Sequence, residues 1–121
     1  MIAVHHVQVS IPIGAEDAAR DFYCGIMGMV EVPKPASLAG RGGFWLQLGD
    51  VQVHFGTEDG VERGKTKGHV AYQVTGLEGW RTKLKQAGCD VRTGIPIPGY
   101  DRFEFRDPFG NRVEFLEEIG E

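Results

Sequence analysis

The sequence predicts an α+β fold of two βαβββ modules that form a cupped mixed sheet, with one helix per module. The first observation is an internal repeat, because the strand-like segment His6–Ile11 returns 63 positions later as His69–Val74. The second is that each copy continues with a helix-like apolar periodicity that ends in glycine, at Gly28 and at Gly88. A short strand, a glycine-containing loop and a hairpin then follow in both halves. The chain therefore contains the same structural unit twice.

The first module is expected to span about residues 1–56. Its first strand runs from about Val4 to Ile11 and ends before a proline. A helix begins near Ala15, since its apolar residues recur on one face: Ala15, Ala18, Ala19, Phe22 and Ile26. A short strand over Met29–Val32 and a hairpin complete the module. The hairpin pairs residues 44–48 with residues 51–55 around Gly49-Asp50, a dipeptide order that permits a tight turn.

The second module is expected to span about residues 68–121, after a polar, glycine-punctuated linker at about 57–67. Its first strand is His69–Val74, and its helix presents one apolar face made by Leu77, Trp80, Leu84 and Ala87. A short strand over 89–92 and a hairpin of 102–106 with 112–117 follow. The turn of this hairpin, Asp107-Pro108-Phe109-Gly110-Asn111, is predicted to be structural.

Composition limits the classes of function. The 121 residues carry a formal net charge of −4 and no basic stripe with interleaved aromatics, so nucleic acid is not an expected partner. No apolar run approaches the length of a membrane span, and no signal-peptide pattern is present. Cys24 and Cys89 fit no zinc or redox spacing and are expected to be free thiols. A cytoplasmic protein with a small-molecule substrate is predicted.

A metal site is predicted from residues in equivalent positions of the two modules. His6 and His69 begin the equivalent first strands, and Glu114 lies on the last strand, facing away from Val113 and Phe115. Two imidazoles and one carboxylate with open coordination positions suit Fe(II), Mn(II), Ni(II) or Zn(II). Such an ion can bind a substrate through two oxygens and stabilise an enolate.

The fourth position of this site is open between two residues. Aligning the two hairpins on their glycines places Val53 opposite Glu114, and a shift of one residue offers Gln52 or His54 instead. His54 is favoured because imidazole is the better ligand. In the alternative, Gln52 is the ligand and His54 is either a general base or a side chain that supports the ligands. His5 is expected to point away from His6 and to lie outside the site.

Other side chains are weaker candidates. Four cations are candidates to hold an anionic substrate, or are simply solvated: Arg41, Lys65, Lys67 and Arg102. Four aromatic residues either line an apolar pocket or belong to the core: Phe44, Trp45, Tyr100 and Phe103.

The chain resembles the vicinal oxygen chelate superfamily, which includes glyoxalase, bleomycin-resistance and extradiol-dioxygenase proteins. The resemblance covers nearly the whole chain and rests on four segments: His6-Val7-Gln8-Val9, Ala18–Tyr23 with Gly28-Met29, Gly68-His69-Val70-Ala71, and Asp107–Phe115. It implies paired βαβββ modules, a homodimer, and metal ligands at His6, His69 and Glu114. The fourth ligand position falls on the fourth strand, where Gln52 and His54 compete.

The same resemblance implies several activities and selects none, because one fold hosts many reactions. The nearest is lyase or isomerase chemistry resembling that of lactoylglutathione lyase, although that enzyme usually has a glutamate where this chain has Gln52 and His54. The alternatives are a metal-independent protein that sequesters an antibiotic, a fosfomycin-type thiol transferase, and a small dioxygenase.

Overall fold

The computed structural model describes residues 1–120 and divides into two compact units, Met1–Val61 and Glu62–Glu121. Each unit contains one four-stranded mixed sheet and one principal helical segment, which confirms the predicted α+β class and the βαβββ repeat. The first unit contains β1 (His6–Ile11), α1 (Glu16–Arg20), β2 (Val30–Val32), β3 (Phe44–Leu48) and β4 (Val51–Thr57). The second contains β5 (His69–Gln73), α2 (Leu77–Gln86), β6 (Arg92–Thr93), β7 (Tyr100–Arg106) and β8 (Arg112–Glu118).

The two sheets have the same topology. Their strand orders are β1-β4-β3-β2 and β5-β8-β7-β6. In each, the first strand of the unit pairs in parallel with the last, and the remaining neighbours are antiparallel. The parallel pair needs a long crossover, which the helix and the two middle strands provide. Equivalent positions in the two units can therefore be compared residue by residue.

The first helical segment differs from the predicted continuous α-helix. After α1, residues Asp21–Ile26 wind as a π-helix, in which the amide of Met27 donates to the carbonyl of Phe22 at 3.0 Å. The wider turn lets two consecutive aromatic residues, Phe22 and Tyr23, both reach the core, with 4% and 1% of their surface exposed. Burial of both rings outweighs the poorer backbone geometry, and residue periodicity alone does not encode this.

The core of each unit lies on the helix side of its sheet. In the first unit the rings of Phe44 and Phe55 stack at 4.7 Å beside Tyr23. In the second unit the rings of Phe103, Phe105 and Phe115 pack together. Phe44 and Phe103 are thus core residues. Because strand residues alternate between faces, the neighbours of these rings point to the opposite face of each sheet, where the candidate site lies.

The segment predicted as a linker, residues 57–67, is largely structured. Strand β4 continues to Thr57, and Arg63–Lys65 form a turn of 3₁₀-helix. Arg63 is only 7% exposed, and its carbonyl accepts a hydrogen bond from Arg106 Nη1 at 3.2 Å. The boundary between the two units falls inside this segment, after Val61.

The turn between β7 and β8, predicted to be structural, is held by the buried carboxylate of Asp107. Asp107 Oδ1 accepts from the amides of Phe109 and Asn111, and its Oδ2 accepts from Asn111 Nδ2, all at 2.9 Å. We expect Asp107→Ala to lower the free energy of unfolding by about 2 kcal/mol, because it leaves three partly buried donors without their acceptor. Urea denaturation measures this loss. The control is Asp101→Ala on β7, an exposed carboxylate whose removal should change stability little. Equal losses in the two variants would contradict the structural role.

Candidate functional site

Glu114 lies in the middle of β8, and its carboxylate is on the face of the second sheet that points away from the core. Val113 and Phe115 turn into the core, so Glu114 points to the opposite face, yet only 6% of it is exposed. Its Oε1 lies 2.9 Å from His69 Nε2. The other imidazole nitrogen, Nδ1, lies 3.0 Å from the carbonyl of Lys67 and must carry a proton to bond with it. The Lys67 carbonyl therefore fixes which nitrogen of His69 faces Glu114.

Arg102 holds the second oxygen of Glu114. Its Nη1 lies 3.3 Å from Glu114 Oε2, and its Nε donates to the carbonyl of Ile95 at 2.8 Å. The side chain of Arg102 is only 13% exposed. The sequence offered Arg102 as a contact for an anionic substrate, but its guanidinium is paired with a carboxylate of the protein itself.

Three stacked rings occupy the open face of the first sheet. His54 lies between Trp45 and His6, with ring centroids 3.9 Å and 4.1 Å away and interplanar angles of 3° and 14°. The central ring is buried, with 5% of the residue exposed. Trp45 directly opposes His54 across the β3–β4 pair, which brings the two side chains together on one face. Trp45 is thus a site residue, unlike Phe44 beside it.

A chain of hydrogen bonds fixes the tautomer of His54. The carbonyl of Gly49 can only accept, so Gln47 donates to it through Nε2 at 2.7 Å. Gln47 Oε1 then accepts from Gln52 Nε2 at 3.0 Å, and Gln52 Oε1 faces His54 Nε2 at 2.8 Å. His54 therefore carries a proton on Nε2, and in the neutral ring Nδ1 keeps the lone pair. The atom of His54 able to accept a proton or bind a metal is Nδ1.

His5 does not point away from His6 as predicted. Its Nδ1 lies 2.9 Å from His6 Nδ1, in a hydrogen bond between the two rings. The prediction was wrong because β1 begins at His6, so His5 precedes the strand and the alternation of faces does not apply to it.

Strand register relates His54 to Glu114. In the parallel pairs His6 lies opposite Gln52, and His69 lies opposite Arg112. His54 lies two residues after Gln52 on β4, and Glu114 lies two residues after Arg112 on β8. The glycine alignment pointed to Val53 because the turn before β4 contains two residues, whereas the turn before β8 contains five. The buried His54 of the first unit is the structural equivalent of the buried Glu114 of the second.

The stacked rings border a cavity of about 520 Å³ within the first unit. Arg41, one of the cations proposed from the sequence, lines it together with Lys34 and Gln8, which the sequence did not single out. Lys34 lies between two prolines just after β2, and no local motif marks it. The lining comprises His5, His6, Gln8, Lys34, Leu38, Arg41, Gly42, Trp45, His54, Phe55, Gly56 and Thr57.

Comparison with known proteins identifies the family. The family model described as the Glyoxalase/Bleomycin resistance protein/Dioxygenase superfamily matches residues 3–115. The chain belongs to this superfamily. A search of curated proteins finds no significant match.

Solved structures of the glyoxalase superfamily share the fold. A glyoxalase family protein from Bacillus anthracis is 38% identical, with a TM-score of 0.89 over 98% of this chain and 96% of that one. Lactoylglutathione lyase from Agrobacterium tumefaciens is 20% identical, with a TM-score of 0.73 over 97% and 94% of the two chains. The antibiotic-binding protein TnmS3 from Streptomyces sp. CB03234 is 19% identical, with a TM-score of 0.73 over 98% of each chain. At these lower identities the likeness establishes the fold alone.

Within this superfamily member, each unit brings two of the predicted site residues together. His6 and His54 are in contact in the first unit, and His69 and Glu114 are in contact in the second. Among residues 1–120, no three His, Cys, Asp or Glu side chains cluster as ligands of one ion. Lys65 pairs with Glu62 at 3.4 Å on the surface. No helix within this range is long and apolar enough to cross a membrane.

The stacked imidazole of His54 is expected to stay neutral to a lower pH than a free imidazole, because its pKa is lowered. Burial lowers its pKa below the ordinary 6.5, and the positive charges of His6, His5 and Lys34 lower it further. The unfolded chain therefore binds more protons than the folded protein just below pH 6.5, so stability rises with pH through this window. The stability due to this group is complete above pH 6.5 and is lost as the pH falls towards the lowered pKa.

NMR titration of the imidazoles tests this prediction, with a midpoint for His54 below 6.5 as the expected result. Denaturation at several pH values should also give a shallower dependence in His54→Asn than in the wild type. A midpoint at or above 6.5 would contradict the prediction.

Proposed function

We propose that this glyoxalase superfamily member is a metal-dependent enzyme acting on a small substrate that chelates through two adjacent oxygens. The reaction proposed is lyase or isomerase chemistry of the lactoylglutathione-lyase type. The proposed metal ligands are His6, His69 and Glu114, and His54 acts as a further ligand or as the general base. The proposed ion is Fe, Mn, Ni or Zn.

The observation that carries the proposal is the 2.9 Å contact between His69 Nε2 and Glu114 Oε1. Because Nδ1 donates to the Lys67 carbonyl, neutral His69 directs a lone pair, not a proton, at the carboxylate oxygen. A nitrogen lone pair and a carboxylate oxygen repel each other at this distance unless a proton or a metal ion lies between them. Two donor atoms that bind one ion next to each other lie about 3 Å apart when each metal–donor bond is about 2.1 Å long. A backbone carbonyl behind the second nitrogen is also the usual support of a metal-binding histidine.

In the first unit, ring geometry favours different roles for the two histidines. A metal ion lies close to the plane of each imidazole that binds it, and two parallel, stacked planes share no point. His6 and His54 are tilted by only 14°, so in this arrangement one of them at most is a ligand. We assign His6 as the ligand, because its Nε2 remains available when Nδ1 bonds to His5. His54 is assigned as the base.

These roles define the chemistry of each side chain. The metal ion would polarise the chelating oxygens and stabilise negative charge that develops on them. His54 would accept a substrate proton at Nδ1, and the Gln52–Gln47 chain holds its Nε2 proton and the ring orientation. Its lowered pKa leaves it unprotonated, hence able to accept a proton, at neutral pH. Arg102 would hold Glu114 through Oε2 and leave Oε1 for the metal.

Metal titration by calorimetry tests the proposal. The wild type, stripped with chelator, should bind one divalent ion per chain, and His69→Ala should weaken this affinity by at least about 100-fold. Lys65→Ala, an exposed residue of the same unit, is the control and should bind as the wild type does. The metal-loaded protein should convert the adduct of glutathione and an α-ketoaldehyde. Unchanged affinity in His69→Ala would overturn the ligand assignment. Oxygen consumption with Fe(II), or thiol-dependent loss of fosfomycin, would instead assign the dioxygenase or the thiol transferase.

A second candidate function, sequestration of a small molecule without metal, is favoured by the stack of Trp45, His54 and His6 beside a cavity. Aromatic faces bind flat organic compounds without any metal. A thermal-shift screen separates the two functions, since ligands that bind the folded state raise its melting temperature. Stabilisation by metal ions favours the enzyme, and stabilisation by organic compounds in chelator alone favours sequestration.

We also propose that the protein is cytoplasmic, as its composition predicts, and a homodimer, as the family resemblance implies. Light scattering of the purified protein should give twice the mass of the 13.3 kDa chain. A mass of one chain at micromolar concentration would overturn this assignment.

A further inference from the structure

We propose that the cavity of the first unit binds an aromatic carboxylate, with its ring against the Trp45–His54–His6 stack and its carboxylate on Arg41 and Lys34. The inference rests on the proposed function only in taking His6 and His54 as site residues, and it names the chemical class of the ligand. It needs no metal ion for the binding step.

The titratable side chains that line the cavity are all of one type. All of its titratable side chains are basic, namely His5, His6, Lys34, Arg41 and His54. No Asp or Glu belongs to this lining within residues 1–120. The chain as a whole has a formal net charge of −4, so this wall opposes the average charge of the protein. A cavity walled by one sign of charge concentrates ligands of the opposite sign.

Two of these cations are available to a ligand. Neither Arg41 nor Lys34 forms an ion pair with a carboxylate in the described part of the chain. Lys34 Nζ donates to the carbonyl of Gly42 at 2.5 Å, which anchors the ammonium and leaves it two further protons. Arg41 ends the 3₁₀ turn Ala36–Arg41, directly before Gly42. The hydrogen bond to Gly42 therefore holds the Lys34 ammonium beside the residue that directly follows Arg41.

The ring stack selects a flat ligand. Trp45 and His54 are almost parallel at 3.9 Å, and His6 continues the stack at 4.1 Å. The central ring is covered on both faces by its neighbours, so a ligand contacts the stack on the outer face of Trp45 or of the exposed His6. A further aromatic ring extends such a stack and gains ring–ring attraction in addition to the burial of its apolar area.

A carboxylate is the anion that matches these cations. A guanidinium presents two parallel N–H groups that fit both carboxylate oxygens. One guanidinium and one ammonium are sufficient for a singly charged group. The cavity of about 520 Å³ accommodates a fused two-ring compound.

Calorimetry with matched compounds tests the inference on the intact protein in chelator. Naphthalene-2-carboxylate is the probe, naphthalene-2-carboxamide keeps the ring without the charge, and cyclohexanecarboxylate keeps the charge without the aromatic ring. The naphthoate should bind at least about tenfold more tightly than either analogue. Arg41→Gln should remove the preference over the carboxamide, and Trp45→Leu should weaken both naphthalene compounds. Arg92→Gln, an exposed arginine of the second unit, is the control and should change nothing.

The outcomes separate this inference from the metal proposal. Equal binding of naphthoate and carboxamide, or unchanged naphthoate affinity in both Arg41→Gln and Trp45→Leu, would overturn it. Circular dichroism of each variant establishes that the fold is retained. Naphthoate binding by a wild-type protein that binds no metal after reconstitution would contradict the enzyme proposal and support the ligand class.

Discussion

Gly43→Ala is expected to destabilise the first unit more than any other single methyl group added to it. Gly43 has a φ of +77°, a left-handed conformation in which side chains are strained, and it lies directly before β3. A β-carbon on it would lie 2.0 Å from the carbonyl oxygen of Phe55, a backbone atom of β4. Relief of this contact requires separating the two central strands. We expect a loss of at least about 3 kcal/mol in the free energy of unfolding.

Urea denaturation of wild type, Gly43→Ala and Gly40→Ala measures the effect. Gly40 is the matched control, because it lies three residues away, lacks a positive φ, and has open space for 4 Å around the point where a β-carbon would lie. Its substitution should change stability by less than about 1 kcal/mol. A stable Gly43→Ala protein with a wild-type midpoint would contradict the close approach of Gly43 to β4.

Arg102→Met is the second substitution with a large expected effect. It removes the cation from a pair in which both side chains are largely buried, 13% and 8% exposed. The carboxylate of Glu114 would stay buried, and its Oε2 would lose the contact with Arg102. Breaking such a pair from one side costs about 3 kcal/mol, much more than losing a surface ion pair.

A double-mutant cycle tests this coupling by denaturation. Because Glu114→Gln removes the charge that Arg102 neutralises, the double variant should be more stable than the sum of the two single losses predicts. Arg92→Met is the control, since it breaks the exposed Arg92–Asp90 pair and should cost less than about 1 kcal/mol. Additive losses at Arg102 and Glu114 would contradict a direct interaction.

The repeated fold could be predicted because its signals are local and occur twice. The strands beginning at His6 and His69 and the helix face of Leu77 and Leu84 follow from residue periodicity. The π-helix at Asp21–Ile26 could not, because it results from packing Phe22 and Tyr23 together in the core. Hydrophobic periodicity describes which face is apolar and not how the backbone adjusts to fill a core.

The sequence alone indicated residues for the candidate site but not the contacts that these residues make, and their roles stay predictions. His69 and Glu114 meet as expected of residues on neighbouring parallel strands. Arg102 contacts Glu114 because β7 lies beside β8, and this pairing is visible only after the register is known. Lys34 reaches the cavity through the path of the chain between β2 and β3, for which the sequence has no motif.

The most direct test of the metal proposal is elemental analysis of the purified wild type beside Glu114→Ala and Glu118→Ala. Glu118 is the matched control, a carboxylate on the same strand β8 that is exposed. After reconstitution with Fe, Mn, Ni or Zn and removal of free metal, the wild type and Glu118→Ala should retain about one ion per chain, and Glu114→Ala should retain almost none. Equal metal content in all three proteins, or no metal in any of them, would contradict the proposal.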